Sequence, residues 1–238
     1  MRMRKKKNGE SRLSACEEIL YRPESSNPIS DPGAVMNMAG APVMLEIGAG
    51  KGRFACQMAA RHSACAYFAM ERVSDCVVLA AERALGGEHG ELSNLKFIID
   101  TADNLMRIFG KGSISEIYLN FSDPWSKKGY AKRRLTHRRY LSLYMNLLRD
   151  GGTVTFKTDN DSLFDFSLEE IEAMGLKCEI VTRDLHSSEW NEGNIMTEYE
   201  ENFSSQGIKI NMLKVRKPDG FSPELDPVFI GERVIYKH

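Results

Sequence analysis

The sequence lacks the marks of a membrane, exported or metal-binding chain. Nowhere do 18 apolar residues run uninterrupted, and the basic amino terminus has no apolar stretch behind it, so neither a spanning helix nor a secretory leader is expected. Cysteine is sparse and unpaired: Cys16, Cys56, Cys65, Cys76 and Cys178 form no C-x-x-C pair and have no histidine at zinc spacing. A disulfide framework and a zinc site are therefore not expected; the thiols read as small buried hydrophobes in a reducing, cytoplasmic setting. Internal repeats and low-complexity blocks are missing as well, which removes solenoids and fibres. An excess of one charge is also absent, since the formal net charge is −1.

That near-neutral total hides segregation. Five of the first seven residues are Arg or Lys, and from Lys127 to Arg139 there are seven basic residues and no acid, while acids gather at Glu169–Glu172 and Glu198–Glu201. Either basic run alone reads as a solvated face; two runs flanking one candidate site form the footprint that a phosphate backbone requires. With 238 residues, of which 42% are hydrophobic and 27% charged, the chain fits one ordinary globular domain. Residues 1–41, interrupted by Pro23, Pro28, Pro32 and Gly33, read as a basic, partly flexible arm, and residues 42–238 as the domain.

The most informative stretch is Val43-Met44-Leu45-Glu46-Ile47-Gly48-Ala49-Gly50-Lys51-Gly52, an apolar run that empties into a glycine turn, with Glu71 lying 21 residues past Gly50. A buried strand, a glycine turn and a helix bring bare backbone N–H groups to a ligand, and an acid ending the next strand can accept from ribose hydroxyls. The spacing G-x-G-x-G lacks the third glycine of a dinucleotide turn. Glu46, two positions before the first glycine, would repel a pyrophosphate but attract a cation such as the amine and sulfonium of S-adenosylmethionine. The turn reads as a methyl-donor site, with an ordinary βα turn as the plain alternative for a lone G-x-G-x-G.

Alternating patterns predict strands over 43–48, 66–71, 95–100, 116–122, 153–158, 177–182 and 207–217, and helices over 52–62, 74–86, 102–109, 136–149 and 161–174. This is an α/β pattern: a doubly wound, mostly parallel seven-stranded sheet with helices on both faces, its last two strands pairing antiparallel as a mixed edge. Ligands of such sheets lie beyond the carboxyl ends of the strands. Five segments fall there: Gly48–Gly52, Glu71, Asp100–Asp103, Asp123–Trp125 and Thr158–Asp159. Asp103 and Asp161 read as helix caps.

After the fourth strand, Asn120-Phe121-Ser122-Asp123-Pro124-Trp125-Ser126-Lys127-Lys128 joins an acid, a rigid proline turn, an aromatic plane and two cations. Trp125 can stack on a base or anchor the loop in the core, and the lysines can meet phosphate. This motif, with Met1–Lys6, the Leu45–Gly52 turn, Lys132-Arg133-Arg134-Leu135-Thr136, Phe156-Lys157-Thr158-Asp159-Asn160 and Thr197-Glu198-Tyr199-Glu200, resembles the bacterial tRNA (guanine-N7-)-methyltransferases over nearly the whole chain. Residues 7–40 match poorly.

The resemblance implies the Rossmann-like class I methyltransferase fold, S-adenosylmethionine as cofactor, no metal, and tRNA as partner, with guanine N7 in the variable loop as the acceptor. It implies that Glu46, Gly48, Gly50, Glu71, Thr101, Ala102 and Asp123 contact the donor, with Asp123 also at the reacting guanine as the catalytic residue. Lys127, Asp159, Thr197, Glu198, Tyr199 and Glu200 match substrate positions. Arg4, Lys5, Lys128, Lys132, Arg133 and Arg134 fall among basic residues that would contact RNA. The chain departs from the family pattern at Ser126, where proline is usual, and at Thr101, where aspartate is usual. Competing readings are a small-molecule or protein methyltransferase, an RNA-binding protein without activity, and a nicotinamide-dependent oxidoreductase. A monomer and a homodimer are equally compatible with the sequence.

Overall fold

The computed structural model describes residues 8–23 and 27–231. Seven strands, β1 (Val43–Ile47), β2 (Ala66–Glu71), β3 (Leu95–Ile99), β4 (Ile114–Asn120), β5 (Leu148–Thr158), β6 (Cys178–Thr182) and β7 (Asn211–Arg216), form one sheet in the order β3-β2-β1-β4-β5-β7-β6. The first five are parallel neighbours; β7 runs antiparallel to both β5 and β6 and sits between them. The order reverses beside β1, the switch point at which doubly wound sheets hold ligands.

Side-chain alternation along β1 explains why both faces are covered. Val43, Leu45 and Ile47 enter one core with Leu141, Leu143, Leu163 and Phe164, which lie on α5 (Arg138–Leu147) and α6 (Asp161–Ala173). Met44 enters the other core, with Ala55 and Ala59 of α2 (Arg53–Arg61) and Val77 and Ala80 of α3 (Ser74–Leu85). A strand buried on both sides reads as a continuous apolar run, as Val43–Ile47 does apart from Glu46.

The segment ahead of β1 contributes to this packing. A short α1 (Gly9–Ser14) lies against α3, with Arg12 paired in bidentate fashion to Glu82. Cys16, Ile19 and Leu20 join the second core and Met36 the first. Tyr21 N donates to Phe97 O, and Ile29 both donates to Ile108 O and accepts from Gly110 N. The short α4 (Leu105–Ile108) follows a 3-10 turn at Ala102–Asn104. The helix at α6 is capped by Asn160, whose side chain accepts from Leu163 N; Asp161, the residue expected to cap, instead accepts from Asn211 Nδ2 at 2.8 Å. Asp103 likewise makes no cap: it is buried against Arg139 and the Tyr140 hydroxyl. An α7 (Glu198–Ser204) that the sequence reading did not anticipate crosses near the same rim as the glycine turn.

Candidate functional site

The carboxyl ends of β1 through β5 lie side by side, so the segments that follow them share one rim. Ile47 is in register with Met70 and Leu119, Glu71 with Ile99, and Asn120 with Lys157.

Around the glycine turn, Gly48 (φ 87°), Gly50 (φ 55°) and Gly52 (φ 75°) all occupy the left-handed region. A Cβ on Gly48 or Gly50 would meet nothing within 4 Å, whereas one on Gly52 would fall 2.7 Å from Ala80 Cβ and 3.1 Å from Phe97 Cζ. The first two glycines thus leave an open backbone face, and the third allows the turn to press against α3 and β3. That close-packing role, which the sequence reading took as missing, falls to Gly52.

Glu71 is bound to the turn: its Oε2 accepts from Gly50 N at 3.1 Å and its Oε1 from Val73 N at 2.9 Å. The acid ending β2 therefore fixes the shape of the turn while still half-buried at the rim. Glu46 is 2% exposed. Its Oε1 accepts from Asn120 Nδ2 at 3.0 Å, and its Oε2 has no partner among the described residues. Burial pushes its carboxyl up to about 7, with the Asn120 hydrogen bond and the Lys157 charge working the other way. Among the described residues, four of the buried polar atoms without partners fall at these strand ends: Glu46 Oε2 on β1, Thr101 Oγ1 after β3, Asn120 Oδ1 on β4 and Ser122 Oγ just beyond it. Orphaned buried acceptors are uncommon in folded proteins and call for a partner from outside the chain. A ligand bearing an amine and several hydroxyl or N–H donors suits this set, as S-adenosylmethionine does.

Asp123 stands exposed at the mouth of the β4 loop, with Arg72 of the β2 loop 3.8 Å away. Trp125 is half-buried, its ring edge-on to Tyr130 and covered by the Arg133 guanidinium at 5.0 Å. Lys127, Lys128 and Lys132 are exposed, while Arg138 is held by Glu170 and Arg139 by Asp103. Asp159 follows β5, half-buried at the rim, and Ala102 is buried in the core.

The segment Thr197–Glu200 divides by role. The Thr197 hydroxyl caps α7 by accepting from Glu200 N, and Glu198 pairs with Arg83 at 2.6 Å and Lys51 at 3.6 Å. Tyr199 is exposed and stacked on Phe121. Glu200 is fully buried, its Oε2 accepting from Lys157 Nζ at 2.7 Å and its Oε1 from Asn194 Nδ2 at 2.6 Å. Lys157 also donates to Asn194 Oδ1 and Ile195 O, both at 2.9 Å. Burial depresses the Lys157 ammonium, an effect opposed by Glu200 and by Glu46. Glu200 thus holds the segment in place from below, and its neighbours Glu198 and Tyr199 face outward. Arg4 and Lys5 lie outside the described residues. Sequence reasoning missed Lys157 and Asn194, although the Phe156–Asn160 string had drawn attention to the strand end.

Residues 40–213 match the Methyltransf_4 family model, "Putative methyltransferase". A tRNA (guanine-N(7)-)-methyltransferase of Geobacillus sp. (strain WCH70) is 39% identical over 220 residues, 92% of this chain and 96% of that one. The chain belongs to the tRNA (guanine-N7-)-methyltransferase family. A further member, from Macrococcus caseolyticus (strain JCSC5402), is 41% identical over 74% of this chain and 81% of its own. Solved structures share the fold at much lower identity: the 16S rRNA methyltransferase KamB has a TM-score of 0.59 at 13% identity, covering 80% of this chain and 95% of that one. A mutant of the 16S rRNA (adenine(1408)-N(1))-methyltransferase from Catenulisporales acidiphilia, solved with cosubstrate SAM, gives 0.57 at 14% identity, covering 84% of this chain and 98% of that one. In this family setting the α/β sheet is the class I methyltransferase arrangement. Among the described residues no helix is long and apolar enough to cross a membrane, and no group of three or more His, Cys, Asp or Glu could hold a metal ion.

Proposed function

We propose that the protein transfers a methyl group from S-adenosylmethionine to guanine N7 of a variable-loop nucleotide in tRNA, in the cytoplasm. The observation that carries this reading is the gathering of orphaned acceptors and an open glycine turn on the rim that also bears Asp123 and the basic stretch 127–133.

When bound, S-adenosylmethionine supplies an electrophilic methyl group on a sulfonium. Glu46, with one oxygen unpartnered among the described residues, would hold its cationic end, and the open face of the turn at Gly48 and Gly50, whose N–H groups are spent on Met70 O and Glu71, would border the nucleoside part together with Thr101 and Ala102. Guanine N7 carries an exposed lone pair at neutral pH, so no side chain has to remove a proton from the nucleophile. Positioning is the main task, and well-oriented geometry supplies roughly 7–11 kcal/mol of a barrier. Asp123 and Asp159, at neighbouring strand ends, accept from guanine N1–H and the N2 amine, which selects guanine over adenine. Their charge also offsets the positive charge that develops on the purine ring. Lys127, Lys128, Lys132 and Arg133 bind phosphates, joined by Arg4 and Lys5 of the amino-terminal segment. The base must be unstacked to be reached, which favours a loop nucleotide over a helical one.

The test is incubation of the protein with labelled donor and unmodified bulk tRNA, followed by chain cleavage selective for N7-methylguanosine. Cleavage at one variable-loop guanosine is expected; label on protein or small molecules, with none on tRNA, would sink the reading.

A further inference from the structure

Four non-glycine residues among those described have positive φ: Asn8, Asn37, Phe121 and Trp125. Asparagine tolerates this region, but an aromatic residue there is strained and needs its surroundings to hold it. Phe121 (φ 53°) and Trp125 (φ 40°) stand on either side of Asp123. Phe121 is held by its N–H, which donates to Lys157 O at 2.9 Å, and by its ring against Tyr199 and Phe203 of α7.

Trp125 is held by Arg134. Arg134 Nε donates to Pro124 O at 2.9 Å and its Nη2 to Trp125 O at 3.1 Å. One planar fork therefore grips the carbonyls on both sides of the strained residue. The guanidinium is itself fixed 4.3 Å from the centre of the Phe166 ring on α6, and Arg134 N donates to Ala131 O at 3.0 Å. Lys128, Lys132 and Arg133 are exposed, whereas Arg134 is half-buried under the loop. A lysine, with a single compact ammonium, cannot reproduce the two parallel bonds or the stacking.

We propose that Arg134, grouped by the sequence with the RNA-contacting cations, is a positioning residue. It clamps the left-handed turn at Trp125 and so fixes where Asp123 is presented at the end of β4. This rests on the methyltransferase reading above for its catalytic consequence, but the clamp itself can be measured without any substrate.

The experiment uses full-length protein carrying Trp190→Phe, which leaves Trp125 as the sole tryptophan. Arg134→Lys, Arg134→Ala and Lys132→Ala are compared. Acrylamide quenching of Trp125 without tRNA should rise in both Arg134 variants and stay unchanged in Lys132→Ala. With saturating tRNA, Arg134→Lys should lower kcat by about 10–100-fold, the scale of a misplacement near 1 Å. The slope of log Kd for tRNA against log salt should be unchanged by Arg134→Ala and reduced by about one by Lys132→Ala. Unchanged quenching in both Arg134 variants overturns the clamp. Wild-type kcat in Arg134→Ala with the slope reduced by about one also overturns it, and makes Arg134 a phosphate contact. If the unsubstituted protein methylates no tRNA, the functional reading fails by itself, and the quenching result still decides the clamp.

Discussion

Glu46 concentrates the electrostatics of the site in one side chain. Its folded-state pKa, raised to about 7 by burial, exceeds the ordinary value of an unfolded glutamate. The folded protein thus binds more protons than the unfolded chain between the two values. Stability from this group is fully present at low pH and is lost as pH rises through about 7. Glu46→Gln should therefore be more stable than wild type at pH 8, by on the order of 1–3 kcal/mol, with the difference fading by pH 5. The same variant should bind S-adenosylhomocysteine at least about tenfold more weakly, since a neutral amide cannot pair with the ligand amine. Wild-type affinity should tighten as pH rises through about 7 while Glu46 ionises. Calorimetric titration and thermal melts across pH 5–8 check both; stabilisation without loss of affinity would remove Glu46 from the donor site. Asp123, by contrast with the buried Glu46, is exposed. Asp123→Asn should leave stability within about 0.5 kcal/mol of wild type and cut kcat by about tenfold or more. A variant with wild-type turnover would place the acceptor guanine elsewhere.

Among the elements, α7 carries the most consequence for its length. It has seven residues, yet it reaches the glycine turn through Lys51, α2 through the Arg53–Glu201 pair, and α3 through Arg83. Those pairs are partly solvated and each contributes little. The Lys157–Glu200 pair beneath them is almost wholly buried, so removing one partner strands the other charge. Lys157→Met should destabilise by about 3–5 kcal/mol. Adding Glu200→Leu should recover part of that, and denaturant midpoints of the single and double variants test the coupling. The sequence made the strands and long helices legible because period-two and period-3.6 patterns survive wherever an element is buried, as in Val43–Ile47 and Arg138–Leu147. It did not reveal α7, whose Glu-Tyr-Glu-Glu opening has no apolar stripe and is fixed by ion pairs instead. Cys16 is buried as a small hydrophobe, as its residue type suggested, but the sequence did not reveal that Ile19, Leu20 and Met36 enter the cores, since isolated apolar residues near prolines carry no period. At the rim, the strings around Glu46, Glu71 and Asp123 were readable as strand-end carboxylates. Which of them would be exposed and which enclosed depended on contacts with Asn120, Gly50 and Arg72, far away in sequence.

At the scale of the molecule, charge is sorted rather than large. Lys127, Lys128, Lys132 and Arg133 are exposed on one loop, while Arg138 and Arg139 are tied to carboxylates. tRNA affinity should fall steeply with salt, log Kd changing by roughly 0.7–0.9 per unit log salt for each phosphate neutralised. An affinity independent of salt would exclude the loop as an RNA contact. Removing residues 1–7, which lie outside the described residues but hold five basic side chains, should raise KM for tRNA and leave donor affinity unchanged. Parallel loss of both would mean that the segment supports the fold.

The wedge of β7 between β5 and β6 has an effect on synthesis. Until the ribosome has delivered Asn211–Arg216, β5 has an unpaired flank and β6 has no neighbour at all. A nascent chain can assemble the parallel half of the sheet early but cannot close the sheet until β7 has emerged. Polypeptides released prematurely would carry an open strand edge, which makes them prone to self-association and to capture by chaperones.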